Sequence, residues 1–206
     1  MDQVNITYYG HACFALEYDG YRIVIDPYRH GSVPGNPDLD LNANAVYCSH
    51  EHFDHNYTDA VKLFEKDSLG CTVAEYTTPH DDKDGTLRGM NTVRIFRFGD
   101  LRVAHLGDIG IFPGEPLLSE LKGVDCLLIP VGGFYTIDSA TTKQIVDAGC
   151  PRVCVPMHYR TDNTGFDVIS HINDFTKLFD GVEFLNNSFV LSKDTPKQIL
   201  VLNYKP

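Results

Sequence analysis

His50, His52, Asp54 and His55 fall within six residues in the order His-x-His-x-Asp-His. Four metal-competent side chains in so short a stretch are hard to account for by packing, because a core histidine is usually solitary and hydrogen-bonded, and a solvated charge run rarely holds three of them. In extended backbone, side chains two apart share a face, so His50 and His52 could grip one ion. Asp54 and His55, on the following turn, can face a neighbouring position. Two imidazoles leave a tetrahedral ion short of donors, so at least one more must come from elsewhere. Three candidates each follow an expected strand: His80 in Thr77-Thr78-Pro79-His80, Asp108 in His105-Leu106-Gly107-Asp108, and His158 in Val155-Pro156-Met157-His158. Ligands at strand ends suit the rule that α/β sites gather at one sheet edge.

The elements that must position these residues begin with β-rich runs at 4–9, 13–18 and 21–25; Asp19-Gly20 is a tight hairpin signal between the last two. A polar loop is expected over 27–44 and a short strand over 45–48, running straight into the histidine cluster. Thr58 can cap a helix over 58–66, with Ala60, Val61, Leu63 and Phe64 as its buried stripe. Strands are expected at 72–76, 92–98 and 101–104, and a short helix at 115–121. The rhythm then becomes strand, helix, strand, helix: 126–131, 139–148, 153–156 and 168–179, followed by strands at 183–185, 189–191 and 199–203. Strand-rich stretches interleaved with helices predict an α/β sandwich, with helices covering packed sheets, in a single domain over 1–206.

Composition narrows the function. The 206 residues carry 17 Lys and Arg against 28 Asp and Glu, a formal charge of −11 that argues against nucleic acid or an anionic membrane as partner. No apolar run is long enough to span a bilayer, and the N-terminus lacks a basic segment followed by an apolar one, so no secretory signal is expected. The six cysteines lie scattered in or beside apolar segments without Cys-x-x-Cys spacing. They read as free thiols of a cytoplasmic protein.

With these segments in view, the chain resembles the metallo-β-lactamase superfamily, whose pattern is His-x-His-x-Asp-His followed by a distant His, an Asp and a final His. His50, His52, Asp54, His55, His80, Asp108 and His158 fill those positions in order. The flanking text is similar to one branch, the small ascorbate-phosphate lactonase-like or zinc-dependent hydrolase proteins. The matching segments are Tyr9-Gly10-His11-Ala12-Cys13-Phe14, Ile25-Asp26-Pro27, His80-Asp81-Asp82, His105-Leu106-Gly107-Asp108, Ile129-Pro130-Val131-Gly132-Gly133 and Pro156-Met157-His158-Tyr159. The resemblance covers nearly the whole chain and implies a four-layered αββα fold. It also implies one ion held by His50, His52 and His80, a second by Asp54, His55 and His158, and Asp108 between them. Zn²⁺ suits neutral imidazoles, and Mn²⁺ or Fe suits the same mixed donor set. The implied nucleophile is a metal-bound hydroxide, with Asp54 orienting it and accepting its proton, acting on a small ester, lactone or phosphoester.

Around these residues, the resemblance places His11 near the metals, as a substrate-binding or supporting group with a catalytic part. His105 is expected to support Asp108, and Asp26 to accept a bond from a ligand histidine or a loop amide. Gly132-Gly133 could offer backbone N–H groups to an anion; Phe134, Tyr135 and Tyr159 could line the pocket. Arg88 and Arg160 are the basic residues suited to a phosphate or carboxylate, while Asp81, Asp82 and Asp84 read as a polar loop. The alternatives are an iron-dependent oxidoreductase of the same fold and a non-catalytic metal-binding or sensor domain. Against the first, the superfamily's diiron oxygen reductases have Glu where this chain has His52 and add a flavin domain. A small-molecule substrate is the expected partner, and exposed edge strands would be compatible with a homo-oligomer.

Overall fold

A computed structural model describes residues 2–65 and 70–203. Strands β1 (Val4–Tyr8), β2 (Phe14–Tyr18), β3 (Tyr21–Ile25), β5 (Ala45–Tyr47) and β13 (Ser188–Leu191) form a five-stranded sheet in the order β13-β1-β2-β3-β5. The second sheet has seven strands, β12 (Val182–Leu185), β14 (Gln198–Leu202), β11 (Val153–Met157), β10 (Cys126–Pro130), β9 (Leu101–His105), β8 (Met90–Phe98) and β7 (Cys71–Pro79), in that order. β4 (Leu41–Ala43) pairs in parallel with β6 (Val61–Leu63) as a small third sheet.

Side-chain alternation sorts each strand between layers. Phe14, Leu16, Ile23 and Ile25 point into the space between the large sheets, against Phe96, Phe98, Leu101, Leu128 and Val155. The intervening Leu127, Ile129 and Cys154 pack outward beneath the helices α1 (Leu117–Leu121), α2 (Ser139–Gly149) and α3 (Ile172–Thr176), with Leu121, Ile145 and Phe175 as their buried contacts. Each of these fully buried aliphatic and aromatic side chains contributes about 1.5–3 kcal/mol of burial. On the far side of the five-stranded sheet, Cys13, Ala15 and Val24 are covered by Tyr28, Val33, Leu39, Leu41, Ala43, Ala60 and Val61. The sandwich predicted from the sequence is present, and on this side its outer layer is loop, a 3-10 turn and the β4–β6 pair.

That outer layer corrects the helix expected over 58–66, whose last residue lies outside the described residues. A 3-10 turn, Thr58–Ala60, gives way at once to extended backbone at Val61, φ −124° and ψ 113°, which pairs with Leu41. A short apolar run has no decisive period, and pairing with a distant strand won over local helix propensity. Leu63 and Phe64 are exposed rather than buried. The same pairing places β4 inside the expected loop. The helix expected over 168–179 is α-helical only over Ile172–Thr176, because Ser170 N–H donates to Gly132 O and Arg160 N–H to Ser170 O, tying this stretch to neighbouring loops.

Topology explains where the site forms. β7 and β9 both run antiparallel to β8, and β10 and β11 run parallel to β9. The C-terminal ends of β7, β9, β10 and β11 therefore share one edge of the seven-stranded sheet. His80, Asp108 and His158 follow three of those ends.

Candidate metal centre

β5 ends at Tyr47, and the chain turns through Ser49 to His55 without regular structure. Asp26 organises this turn. Its carboxylate accepts Ser49 N–H at 2.6 Å, Ser49 Oγ–H at 2.7 Å and His55 Nδ1–H at 2.9 Å, and it is fully buried. Because the Ser49 hydroxyl hydrogen goes to Asp26, Ser49 Oγ accepts from His50 Nδ1–H at 2.9 Å. One carboxylate thus fixes a proton on Nδ1 of two histidines and turns His50 Nε2 and His55 Nε2 inward.

Asp108 is held from the other sheet. Its N–H donates to Asn91 Oδ1 at 2.9 Å, and the Asn91 amide donates to Thr78 Oγ1 and Leu106 O. Asn91 went unread in the sequence; a fully buried Asn in a strand is the one signal available, since strands are poor in Asn. A side chain at Gly107 would place Cβ 2.2 Å from Asn91 Oδ1 and 2.6 Å from Ser49 Cβ, so only glycine admits the approach of the two loops. His105 Nε2–H donates to Ala12 O at 3.0 Å and its Nδ1 accepts from Gly107 N–H. It steadies the turn into Asp108 through these two bonds and, among the described residues, hydrogen-bonds no candidate ligand side chain.

The seven expected ligands converge. Ligand atoms of His50, His52 and His80 lie within 4.8 Å of one another, as do those of Asp54, His55, His158 and His11, and those of His50, His55 and Asp108. Asp108 Oδ2 stands between the groups, 3.2 Å from His158 Nε2, 3.3 Å from His55 Nε2, 3.4 Å from His80 Nε2 and 3.9 Å from His50 Nε2. His11 also enters this cluster. Its Nε2–H donates to Asp54 Oδ2 at 3.1 Å, its ring lies 4.0 Å from that of His158, and its carbonyl accepts His158 N–H at 2.8 Å. Asp26, His11 and His158 all adopt positive φ, 49°, 56° and 53°, so left-handed backbone concentrates here.

The donor set fits a cation. Among the described residues, His50 Nε2, His55 Nε2, His80 Nε2, His158 Nε2 and Asp108 Oδ1 are buried without a hydrogen-bond partner. Buried polar groups are almost always satisfied, so a cluster of lone pairs aimed at common points wants a shared electrophile. Imidazole nitrogens with carboxylate oxygens suit a borderline divalent ion.

Charge follows the same arrangement. Burial and the neighbouring His55 push His50 down to about 3, and burial with His158 holds His11 down to about 4, so both rings stay neutral. Burial lowers His80 as well. Burial alone would raise the carboxylates, but His11 and His55 hold Asp54 below the usual range, and His158 and His55 hold Asp108 well below it. Burial disfavours the His55 cation, yet Asp108 and Asp26 on its two sides raise it well above an ordinary histidine. A cation at Nε2 would supply that same positive charge.

The surrounding residues sort clearly. A cavity of about 220 Å³ opens over the cluster, lined by His52, Asp54, His80 and Asp108 together with Phe53, Arg88, Tyr135 and Phe166. Tyr135 lines it as expected. Tyr159 instead faces a second cavity of about 430 Å³ behind His11, its hydroxyl donating to Leu202 O. The Gly133 amide is spent on Ile137 O, and a side chain on Gly132 would collide with His158 O, so this pair serves close packing rather than anion binding. Asp81 accepts the amides of Lys83, Gly85, Leu87 and Arg88, which makes it the anchor of the loop after His80. Arg160 donates through Nε to Ile169 O.

Comparison with known proteins agrees with this geometry. Residues 5–158 match the family model described as a β-lactamase superfamily domain. A UPF0173 protein of Pyrococcus abyssi is 32% identical over 192 residues, spanning 79% of this chain and 86% of its own. A UPF0173 metal-dependent hydrolase of Archaeoglobus fulgidus is 26% identical over 197 residues, covering 77% and 84%. Among solved structures, a Thermotoga maritima protein assigned as a zinc-dependent hydrolase of the metallo-β-lactamase superfamily superposes with a TM-score of 0.73 at 32% identity, covering 97% of this chain and 98% of that one. The ligand pattern, the two-sheet sandwich and these relatives make the chain a member of the metallo-β-lactamase superfamily, alongside the UPF0173 metal-dependent hydrolases.

Proposed function

We propose that this protein is a binuclear zinc hydrolase acting on a small ester, lactone or phosphoester. The observation that carries the reading is the set of four buried Nε2 atoms, of His50, His55, His80 and His158, that lack hydrogen-bond partners and stand within 3.9 Å of Asp108 Oδ2. His50, His52 and His80 would hold one ion, Asp54, His55 and His158 the other, with Asp108 between them. Bound there, zinc supplies Lewis acidity and lowers the pKa of a coordinated water from 15.7 to about 7.

The chain's own residues do the rest. Asp26 keeps His50 and His55 in the tautomers that present Nε2 inward. Asp54, ionised and partly open to the cavity, orients the attacking water and takes its proton. His11, neutral and bonded to Asp54 through Nε2–H, holds that carboxylate in place. Phe53, Tyr135 and Phe166 keep the approach apolar. The cavity is sized for a small molecule, and the net charge of −11 disfavours a polynucleotide. Six unpaired thiols fit a reducing compartment, and among the described residues no helix is long and apolar enough to cross a membrane.

The test pairs elemental analysis of protein purified without added metal with a panel of ester, lactone and bis-aryl phosphate substrates, with and without chelator. His52→Ala and Asp108→Ala are expected to lose both hydrolysis and metal. Full metal and full activity in either variant would refute the ligand assignment.

A further inference from the structure

Of the eight residues lining the cavity over the cluster, four are candidate ligands; the others are Phe53, Tyr135, Phe166 and Arg88. Arg88 is the one cation in that wall. Its guanidinium lies 5.5 Å from the centroid of the Tyr135 ring and 5.9 Å from that of Phe134. Among the described residues it makes no ion pair and no side-chain hydrogen bond. The guanidinium groups of Arg22, Arg94, Arg97, Arg102, Arg152 and Arg160 are all engaged by oxygen atoms of the protein, and Arg29, which shows no such partner among the described residues, is exposed. In a chain with 28 acidic residues, a half-buried arginine whose guanidinium pairs with no carboxylate stands apart.

Its position is built. The Arg88 amide donates to Asp81 Oδ2 at 2.8 Å, and the same carboxylate gathers three other amides of this loop. The loop starts at His80, whose own amide donates to Gly89 O, so Arg88 is tied to a candidate ligand at both ends of the loop. Phe134, expected to line the pocket, lies outside that lining; it takes φ 52°, a strained conformation for a bulky residue, and stands 62% exposed with its ring by the guanidinium. Aromatic faces fix and partly desolvate a guanidinium while leaving its N–H edge free, the state in which it grips a planar oxyanion in bidentate fashion.

We propose that Arg88 is a specificity-determining residue: the substrate of this site carries a carboxylate or phosphate group away from the bond that is cleaved, and Arg88 holds it while an apolar or aromatic body rests on Phe53, Tyr135 and Phe166. The inference rests on the hydrolase reading for the word substrate; the recognition it describes does not require turnover.

Calorimetric titration tests it, on the protein as purified and after zinc loading, with benzoate, terephthalate and 4-phosphonobenzoate as probes. Terephthalate and 4-phosphonobenzoate, which carry a second anionic group, are expected to bind roughly tenfold tighter than benzoate. Arg88→Gln should remove that preference while leaving benzoate affinity and zinc content as they were, and Arg88→Lys should keep part of it. A larger Arg88-dependent gain for 4-phosphonobenzoate identifies phosphate as the distal group; a larger gain for terephthalate identifies carboxylate. Absence of a preference in the parent protein, or its survival in Arg88→Gln, overturns the inference. Protein that discriminates these anions but cleaves no ester fails the hydrolase reading alone. Ester cleavage without anion preference fails this one alone.

Discussion

At the scale of single residues, Asp26 is the clearest case of a side chain that acts through others. It binds no ion itself, yet it dictates which nitrogen of His50 and His55 is bare. Asp26→Asn keeps the shape but puts an N–H donor where two donors already point, and zinc affinity is expected to fall about 10–100-fold. Competition against a chromogenic chelator measures this; unchanged affinity would remove Asp26 from the account. His50 gives a pH prediction for the metal-free protein. Its folded value is about 3 against an unfolded value of 6.5, so between those limits the unfolded chain binds the extra proton and His50 makes folding less favourable as pH falls. His50→Gln is therefore expected to gain stability relative to the parent on going from pH 7.5 to 5, by up to about 2 kcal/mol. Urea denaturation at both pH values reads the difference, and a gap that does not widen toward pH 5 contradicts the neutral buried His50.

At the scale of elements, the signals that survived folding were those with a mechanism. The Asp19-Gly20 hairpin joins β2 to β3, as its dipeptide indicates, and α2 forms where expected, with Asp138, not singled out beforehand, capping it by accepting Thr141 N–H at 2.8 Å. The helix over 58–66 lacked that support: Thr58 makes no capping bond, and its apolar run could serve a strand equally well. The other end of α2 carries a detectable cost. Cys150, at the C-terminal cap, is exposed and held at φ 46°, a conformation that glycine adopts without the penalty of a Cβ. Cys150→Gly is expected to stabilise the fold by about 1 kcal/mol in urea denaturation, far from the metal centre and with catalysis unaltered. A destabilised variant would show that the thiol's contact with Asp147 O outweighs the strain.

For the whole molecule, the site belongs to neither sheet. His11 and the 50–55 segment come from the five-stranded sheet, His80, Asp108 and His158 from the other, and the His158 N–H bond to His11 O crosses between them. An ion held from both sides should act as a cross-link favouring the native state. The melting temperature is expected to climb with free zinc, by the equivalent of about 2.7 kcal/mol at a hundred times the dissociation constant. His158→Ala should blunt the response, and an unresponsive parent protein would mean the cluster does not bind zinc. The candidate ligands were readable along the chain because metal chemistry demands particular donor types at close spacing, as in His50 to His55. Asn91, the Ser49 relay and the second-cluster position of His11 were not, since each owes its role to a neighbour 17 to 43 residues away. Local sequence encodes which groups can bind and which face a strand buries; which groups meet, and in which protonation state, follows from long-range packing that no window along the chain contains.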